Sequence, residues 1–309
     1  MKGVILAGGS GSRLLPLTTV VNKHLLPVYD KPMIMYPIQT LVNAGIREVL
    51  LVTGGNHSGG FLQLLGNGRK LGLNELHYAY QEGVGGIADA LSLARDFANG
   101  DKIVVMLGDN IIEKHIRKQV GLFSTQESGA QLVLKGVDHP ERFGVAELDH
   151  PDGGIIRIVE KPVEARSNLA VTGIYMYDSA VFEYIDAIKP SDRGELEITD
   201  VNNLYIQNTE VPCHYSILDG WWTDAGTFES LHKASCLVAG GGANKVMPVP
   251  QMENKIMKYV KGVLLMLVLM VLLVGSVRGC TSTYWLRRHD ACIKELVARI
   301  VSIEQRMEE

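Results

Sequence analysis

Short apolar runs at residues 4–7, 48–53 and 102–107, with a further strand-like stretch at 76–81, recur through the first third of the chain with helix-like stretches between them. Strands that alternate with helices build βαβ units, and these lay their strands parallel. A strand that is apolar throughout its length must be covered on both faces. The pattern therefore predicts an α/β fold of three layers around a mostly parallel sheet. The intervening helices are expected at residues 32–44, stopped by Gly45, and at 87–97, with alanines and leucines along one side. The second half is richer in strands, expected at 131–137, 144–148, 155–160 and 172–177, with a turn at Asp152-Gly153-Gly154. Residues 180–188 and 197–207 read as helices, and no internal repeat is visible.

Composition changes at Gly240, so residues 1–239 are taken as one body and 240–258 as a Gly- and Pro-containing linker. Residues 262–277 then form 16 consecutive uncharged positions, dominated by Leu, Val and Met. Lys255, Lys258 and Lys261 precede the run and Arg278 closes it. Extended to 259–278 by letting Lys261 carry its charge outward, it reaches the lower limit for a membrane-spanning helix. A buried helix at an oligomer interface and a reading-frame artefact are the competing readings. Beyond it, Leu286, Ile293, Leu296, Ile300, Ile303 and Met307 keep heptad spacing, which makes 279–309 a short coiled-coil-like tail.

Charge follows the same division. The whole chain carries −4, but residues 240–309 hold 10 Lys and Arg against 6 Asp and Glu. The body is therefore acidic, which argues against a nucleic-acid binder, while a basic tail suits an anionic membrane surface. The four cysteines, Cys213, Cys236, Cys280 and Cys292, form no CxxC pair, so reduced thiols are expected rather than a zinc site or a disulfide framework. The chain opens without a signal-peptide pattern, and reduced thiols are those expected of a cytoplasmic body.

The strongest local signal is Leu6-Ala7-Gly8-Gly9-Ser10-Gly11-Ser12-Arg13-Leu14. A strand here runs into a glycine-dense loop whose backbone N–H groups can nest around phosphate oxygens, with Arg13 at its end to offer a planar guanidinium. The glycine spacing matches neither the P-loop nor the dinucleotide motif. Lys23 lies ten residues past Arg13, ahead of Leu25-Leu26-Pro27-Val28 and Lys31-Pro32-Met33. This whole stretch resembles the signature of sugar-phosphate nucleotidylyltransferases. The resemblance continues through Leu107-Gly108-Asp109-Asn110, Glu141-Arg142-Phe143-Gly144-Val145, Val159-Glu160-Lys161-Pro162, Ala170-Val171-Thr172-Gly173-Ile174-Tyr175, Arg193-Gly194-Glu195-Leu196-Glu197-Ile198-Thr199-Asp200 and Trp221-Trp222-Thr223-Asp224-Ala225-Gly226-Thr227. Within that family the set is most similar to the short-form glucose-1-phosphate thymidylyltransferases.

The resemblance implies a Rossmann-like nucleotidyltransferase sheet. It also implies a reaction in which glucose 1-phosphate attacks the α-phosphorus of dTTP, giving dTDP-glucose for rhamnose-type deoxysugar synthesis and releasing pyrophosphate. By the same resemblance Asp109 and Asp224 hold Mg²⁺, and Arg13 and Lys23 neutralise the reacting phosphates. Gly8, Gly9, Ser10, Gly11 and Ser12 cradle the nucleotide. Gln81 and Gly86 read the base, Gln81 through paired hydrogen bonds. Asn110, Gly144, Glu160, Lys161, Val171 and Arg193 form the sugar-phosphate pocket. Three positions depart from the family pattern: Asp89 where Gln is expected, Phe143 for a frequent Tyr, and Ser12 for Thr. They leave thymidine and uridine both open as the base, so a UTP-dependent uridylyltransferase is carried as the alternative. A membrane-tethered binding or scaffold module without turnover is the alternative of a different class. The expected partners are the two substrates, the inner membrane through residues 259–278, and further copies of the chain.

Overall fold

A computed structural model describes residues 1–245 except 56, 151 and 152. The candidate membrane segment at 259–278 and the heptad stretch at 279–309 lie outside the described residues. No helix among the described residues is long and apolar enough to cross a membrane.

The chain opens with β1 (Lys2–Ala7), a small hairpin of β2 (Pro27–Val28) and β3 (Lys31–Pro32), and helix α1 (Met35–Asn43). There follow β4 (Glu48–Gly54), α2 (Gly59–Leu65), β5 (Glu75–Gln81), α3 (Ile87–Ser92), α4 (Arg95–Ala98) and β6 (Ile103–Leu107). The middle of the chain contributes β7 (Asn110–Ile112), α5 (Arg117–Thr125), β8 (Ala130–Gly136), β9 (Gly144–Leu148), β10 (Ile155–Glu160) and β11 (Leu169–Tyr177). The body ends with α6 (Val181–Ala187), α7 (Ile198–Gln207), β12 (Cys213–Ile217), β13 (Trp222–Asp224) and α8 (Phe228–Gly241).

Nine strands form the main sheet, in the order β10-β9-β11-β6-β1-β4-β5, with β8 on β11 and β12 on β8. Strands β1, β4, β5, β6, β8, β9 and β12 run one way, and only β10 and β11 oppose them. Alternation along β1 explains the three layers. Val4 and Leu6 face a core shared with α3, α4, α6 and α7, whereas Ile5 and Ala7 face a second core shared with α1, α2 and α5.

Strand β11 positions the site. It pairs with β8 along one side, while on the other it meets β9 at Ala170 and β6 from Ile174 to Tyr177. The sheet therefore forks between Val171 and Ile174, just beyond the C-terminal end of β6, where open α/β sheets place their ligands.

Several boundaries differ from expectation. The helix expected at 32–44 starts at Met35, because Lys31 and Pro32 are engaged in the hairpin with Pro27 and Val28. The helix expected at 87–97 is broken, since Ala94 N–H bonds back only three residues, to Leu91. The sequence 240–245, expected to begin a linker, is held on the body. Helix α8 continues to Gly241, and Asn244 donates to Tyr36 O at 2.9 Å while accepting from Thr40 Oγ1 at 2.6 Å. Lys245 adds an ion pair with Glu113 at 2.9 Å.

Candidate active site

The glycine loop leaves β1 at the C-terminal edge of the sheet, turns through positive φ at Gly9 (91°) and Gly11 (62°), and enters a single helical turn at Ser12–Leu14. Lys23 opens a second short turn, Lys23–Leu25, capped by Asn22, whose side chain accepts from His24 N at 3.0 Å. That turn aims Lys23 at Asp109, with Nζ 2.6 Å from Oδ2. Burial and the adjacent Lys23 charge lower His24 to about 3, so this histidine is neutral packing beside the pair.

Asp109 lies between β6 and β7, one residue past the end of β6. Its carbonyl accepts from Ala225 N at 2.9 Å, and the short ribbon of β7 and β13 places Asp224 opposite Asn110. Two acids 115 residues apart in sequence thus face one space. Burial by itself raises the Asp109 carboxyl, but the neighbouring charges, Lys23 foremost, and the hydrogen bonds from Lys23 and Asn110 together outweigh it and hold the group well below the usual carboxylate range. Asp224 is different. Burial, and then the Asp109 charge, push it up to about 6. Among the described residues no hydrogen bond or ion pair reaches its carboxylate. The described residues hold no cluster of three or more His, Cys, Asp or Glu fit to enclose a metal. Two hard oxygen donors, one of them unpaired and repelled by the other, suit a cation that keeps waters or substrate oxygens for its remaining positions, as Mg²⁺ does.

Asn110 lines the cleft but is 1% exposed. Its Oδ1 accepts from Gly173 N at 3.0 Å and Trp222 Nε1 at 2.7 Å, and its Nδ2 donates to Asp109 Oδ1 at 3.0 Å. The side chain expected to contact a sugar is thus engaged with protein. At the far end, Gly144 starts β9 beside Glu160 at the end of β10. Glu160 accepts from Thr199 Oγ1 at 2.8 Å and lies 3.1 Å from Lys161 Nζ and 3.6 Å from Arg193. Arg193 is also tied to Glu197 at 2.9 Å. Gln81, 5% exposed at the end of β5, donates from Nε2 to Asp89 Oδ2 at 2.7 Å and to Gly86 O at 3.1 Å. Both amide protons are thereby engaged, which leaves Oε1 alone to face a ligand.

One cleft of about 610 Å³ gathers every residue that the sequence pointed to, from Gly8 to Asp224. It also contains residues given no role from sequence: Arg142, Phe143, Thr199 and Trp222. Phe143 and Trp222 stand together, ring centroids 5.1 Å apart. Arg142 and Thr199 lie inside stretches that carry the family resemblance, so position within a motif was the available signal. Five cations (Arg13, Lys23, Arg142, Lys161, Arg193) and four carboxylates (Asp109, Glu160, Glu195, Asp224) line the space.

The nucleotidyl transferase family profile matches residues 2–241. Over 235 residues the chain is 46% identical to glucose-1-phosphate thymidylyltransferase of Xanthomonas campestris pv. campestris, a match covering 76% of this chain and 79% of that one. It is 42% identical over 239 residues to the protein of the same name from Neisseria meningitidis serogroup A, covering 77% and 82%. A Bacillus anthracis protein assigned as a glucose-1-phosphate thymidylyltransferase, crystallised with sucrose, superposes with a TM-score of 0.73 at 48% identity, over 82% of this chain and 99% of that one. UDP-glucose pyrophosphorylase bound to UDP-glucose superposes at 0.66 with 25% identity, over 77% and 98%.

Proposed function

Because the chain belongs to the nucleotidyl transferase family, we propose that it transfers a thymidylyl group from dTTP to glucose 1-phosphate, giving dTDP-glucose and pyrophosphate. The observation that carries this reading is the single cleft in which Asp109, Asp224, Lys23 and Arg13 lie at one end and Glu160, Lys161 and Arg193 at the other.

The nucleophile is a phosphate oxygen that is already ionised, so no side chain need remove a proton. What remains is holding and neutralising. The loop amides from Gly8 to Ser12 and the Arg13 guanidinium hold the triphosphate. Lys23 meets the α-phosphate. Lys161 and Arg193 hold the sugar phosphate, and Glu160 accepts from sugar hydroxyls. The backbone at Gly144 and Val171 shapes that pocket, and Asn110 contributes by fixing its walls. Two phosphorylated substrates bring more negative charge than one excess cation in the lining can balance. Asp109 and Asp224 would hold Mg²⁺, which when bound supplies that missing positive charge.

Pyrophosphate release from dTTP and glucose 1-phosphate with Mg²⁺ tests the proposal. Correctly folded protein that releases none would leave a binding or scaffold module in its place. A uridylyltransferase is the second reading, left open by Gln81, whose Oε1 suits the N3–H that thymine and uracil share. Parallel assays with dTTP and UTP decide between them.

The segment 259–278 is proposed to bind a membrane, with the body on the cytoplasmic face of the inner membrane, on the strength of its uncharged run and flanking lysines. Sedimentation with anionic vesicles tests it, and full-length chain that stays in the supernatant refutes it. The body is proposed to self-associate, which light scattering in solution checks.

A further inference from the structure

The Gln81 amide is not free to turn. Its two Nε2 protons go to Asp89 Oδ2 at 2.7 Å and to Gly86 O at 3.1 Å. Asp89 sits in the first turn of α3, where Ser92 Oγ donates to its carbonyl at 2.7 Å. Its carboxylate packs on Gly85 so closely that a β-carbon there would stand 2.4 Å away. A carboxylate accepts and does not donate, so it determines which end of the neighbouring amide turns toward it. A glutamine or asparagine at position 89 imposes no such choice, since either could donate as well as accept. The other end of Gln81, Oε1, lies against the start of the glycine loop, 2.6 Å from where a β-carbon on Gly8 would be.

We propose that Asp89 is a positioning residue for nucleobase selection: together with the Gly86 carbonyl it holds the Gln81 amide so that, of that side chain, only Oε1 is offered to the base, which selects an imide N3–H and rejects cytosine. This inference rests on the nucleotide reading of the cleft. Thymine and uracil carry a proton at N3 that Oε1 accepts. Cytosine has a lone pair at N3, and two acceptors facing each other leave both unpaired beside a side chain that is 5% exposed. Asp89 does the selecting without touching the base.

The test is calorimetric binding of dTTP and of dCTP to the full chain with Mg²⁺ and without sugar phosphate, so that no turnover occurs. One misplaced acceptor predicts that the unaltered chain binds dTTP roughly ten-fold or more tighter than dCTP. Asp89→Asn, which is nearly isosteric, and Asp89→Ala leave only the Gly86 carbonyl to orient the amide and are expected to narrow the gap by about three-fold. Gln81→Ala is expected to narrow it alone, and Asp89→Ala to add nothing in that background. Equal binding of the two nucleotides by the unaltered chain would overturn the proposal. So would variants that melt normally and keep the full gap, or an Asp89 effect that persists without Gln81. Selective binding without pyrophosphate release in a separate assay would refute the proposed reaction and leave the selection intact.

Discussion

Replacing Asn110 by alanine asks how the cleft is held open. The side chain joins β7 to β11 through Gly173 N (3.0 Å) and to β13 through Trp222 Nε1 (2.7 Å). Alanine strands the Gly173 N–H, which is buried, and an orphaned interior donor costs about 1–3 kcal/mol. Trp222 is half-buried, so its ring N–H regains water and its loss adds only about 1 kcal/mol. The expected total is about 2–4 kcal/mol, which for a body of this size lowers Tm by roughly 5–15 °C. Urea unfolding followed by circular dichroism measures it, with an unchanged m-value showing that the unfolded state is not the source. Asn110→Asp supplies the contrast. It keeps an acceptor for both donors but puts an oxygen where Nδ2 now lies, 3.0 Å from Asp109 Oδ1. Its cost is charge repulsion, present above the carboxylate range and relieved as pH falls, whereas the alanine cost does not follow pH. An alanine penalty below about 0.5 kcal/mol, or the same pH response in both variants, would refute this account of the hub.

Asp109→Asn and Asp224→Asn should each lower turnover by roughly 10²–10³-fold while circular dichroism remains that of the unaltered chain; near-normal rates in both would remove the metal assignment. Thr227→Ala should cost about 0.5–2 kcal/mol by undoing the capping box with Ser230 at the start of α8, read as a drop in the urea midpoint. Burial pushes the Cys213 thiol up to about 12, so it stays protonated and slow to alkylate at pH 8.5, while the exposed Cys236 reacts freely. Peptide mapping after brief iodoacetamide treatment compares the two, and equal labelling would contradict the burial.

The central strands were legible because they are continuous apolar runs of the length a doubly covered sheet requires. The glycine loop, Lys23 and both acids were legible because they sit inside long motifs. What the sequence concealed was set by tertiary pairing. Strand β12, Cys213–Ile217, has only half-buried or exposed residues, so it shows no apolar run, and it exists because β8 accepts it as a parallel neighbour. The linker expected from Gly240 starts later, because α8 runs on to Gly241 and Asn244 bonds Thr40 and Tyr36, contacts that a Gly-rich stretch of sequence does not announce. In the site, sequence placed Asn110 and Gln81 correctly in the cleft. Which of their polar atoms were already engaged depended on Gly173, Trp222 and Asp89, which only the folded chain brings near.

The ribbon of β7 and β13 has a consequence for the order of assembly. Asp109 is synthesised early and Asp224 close to the end of the body. While the chain is still emerging from the ribosome, β1, β4, β5 and β6 can pair and the glycine loop can close. The second acid still waits on residues that have not yet been translated. If the two acids act together as proposed, a chain ending before residue 222 should release no pyrophosphate from dTTP and glucose 1-phosphate.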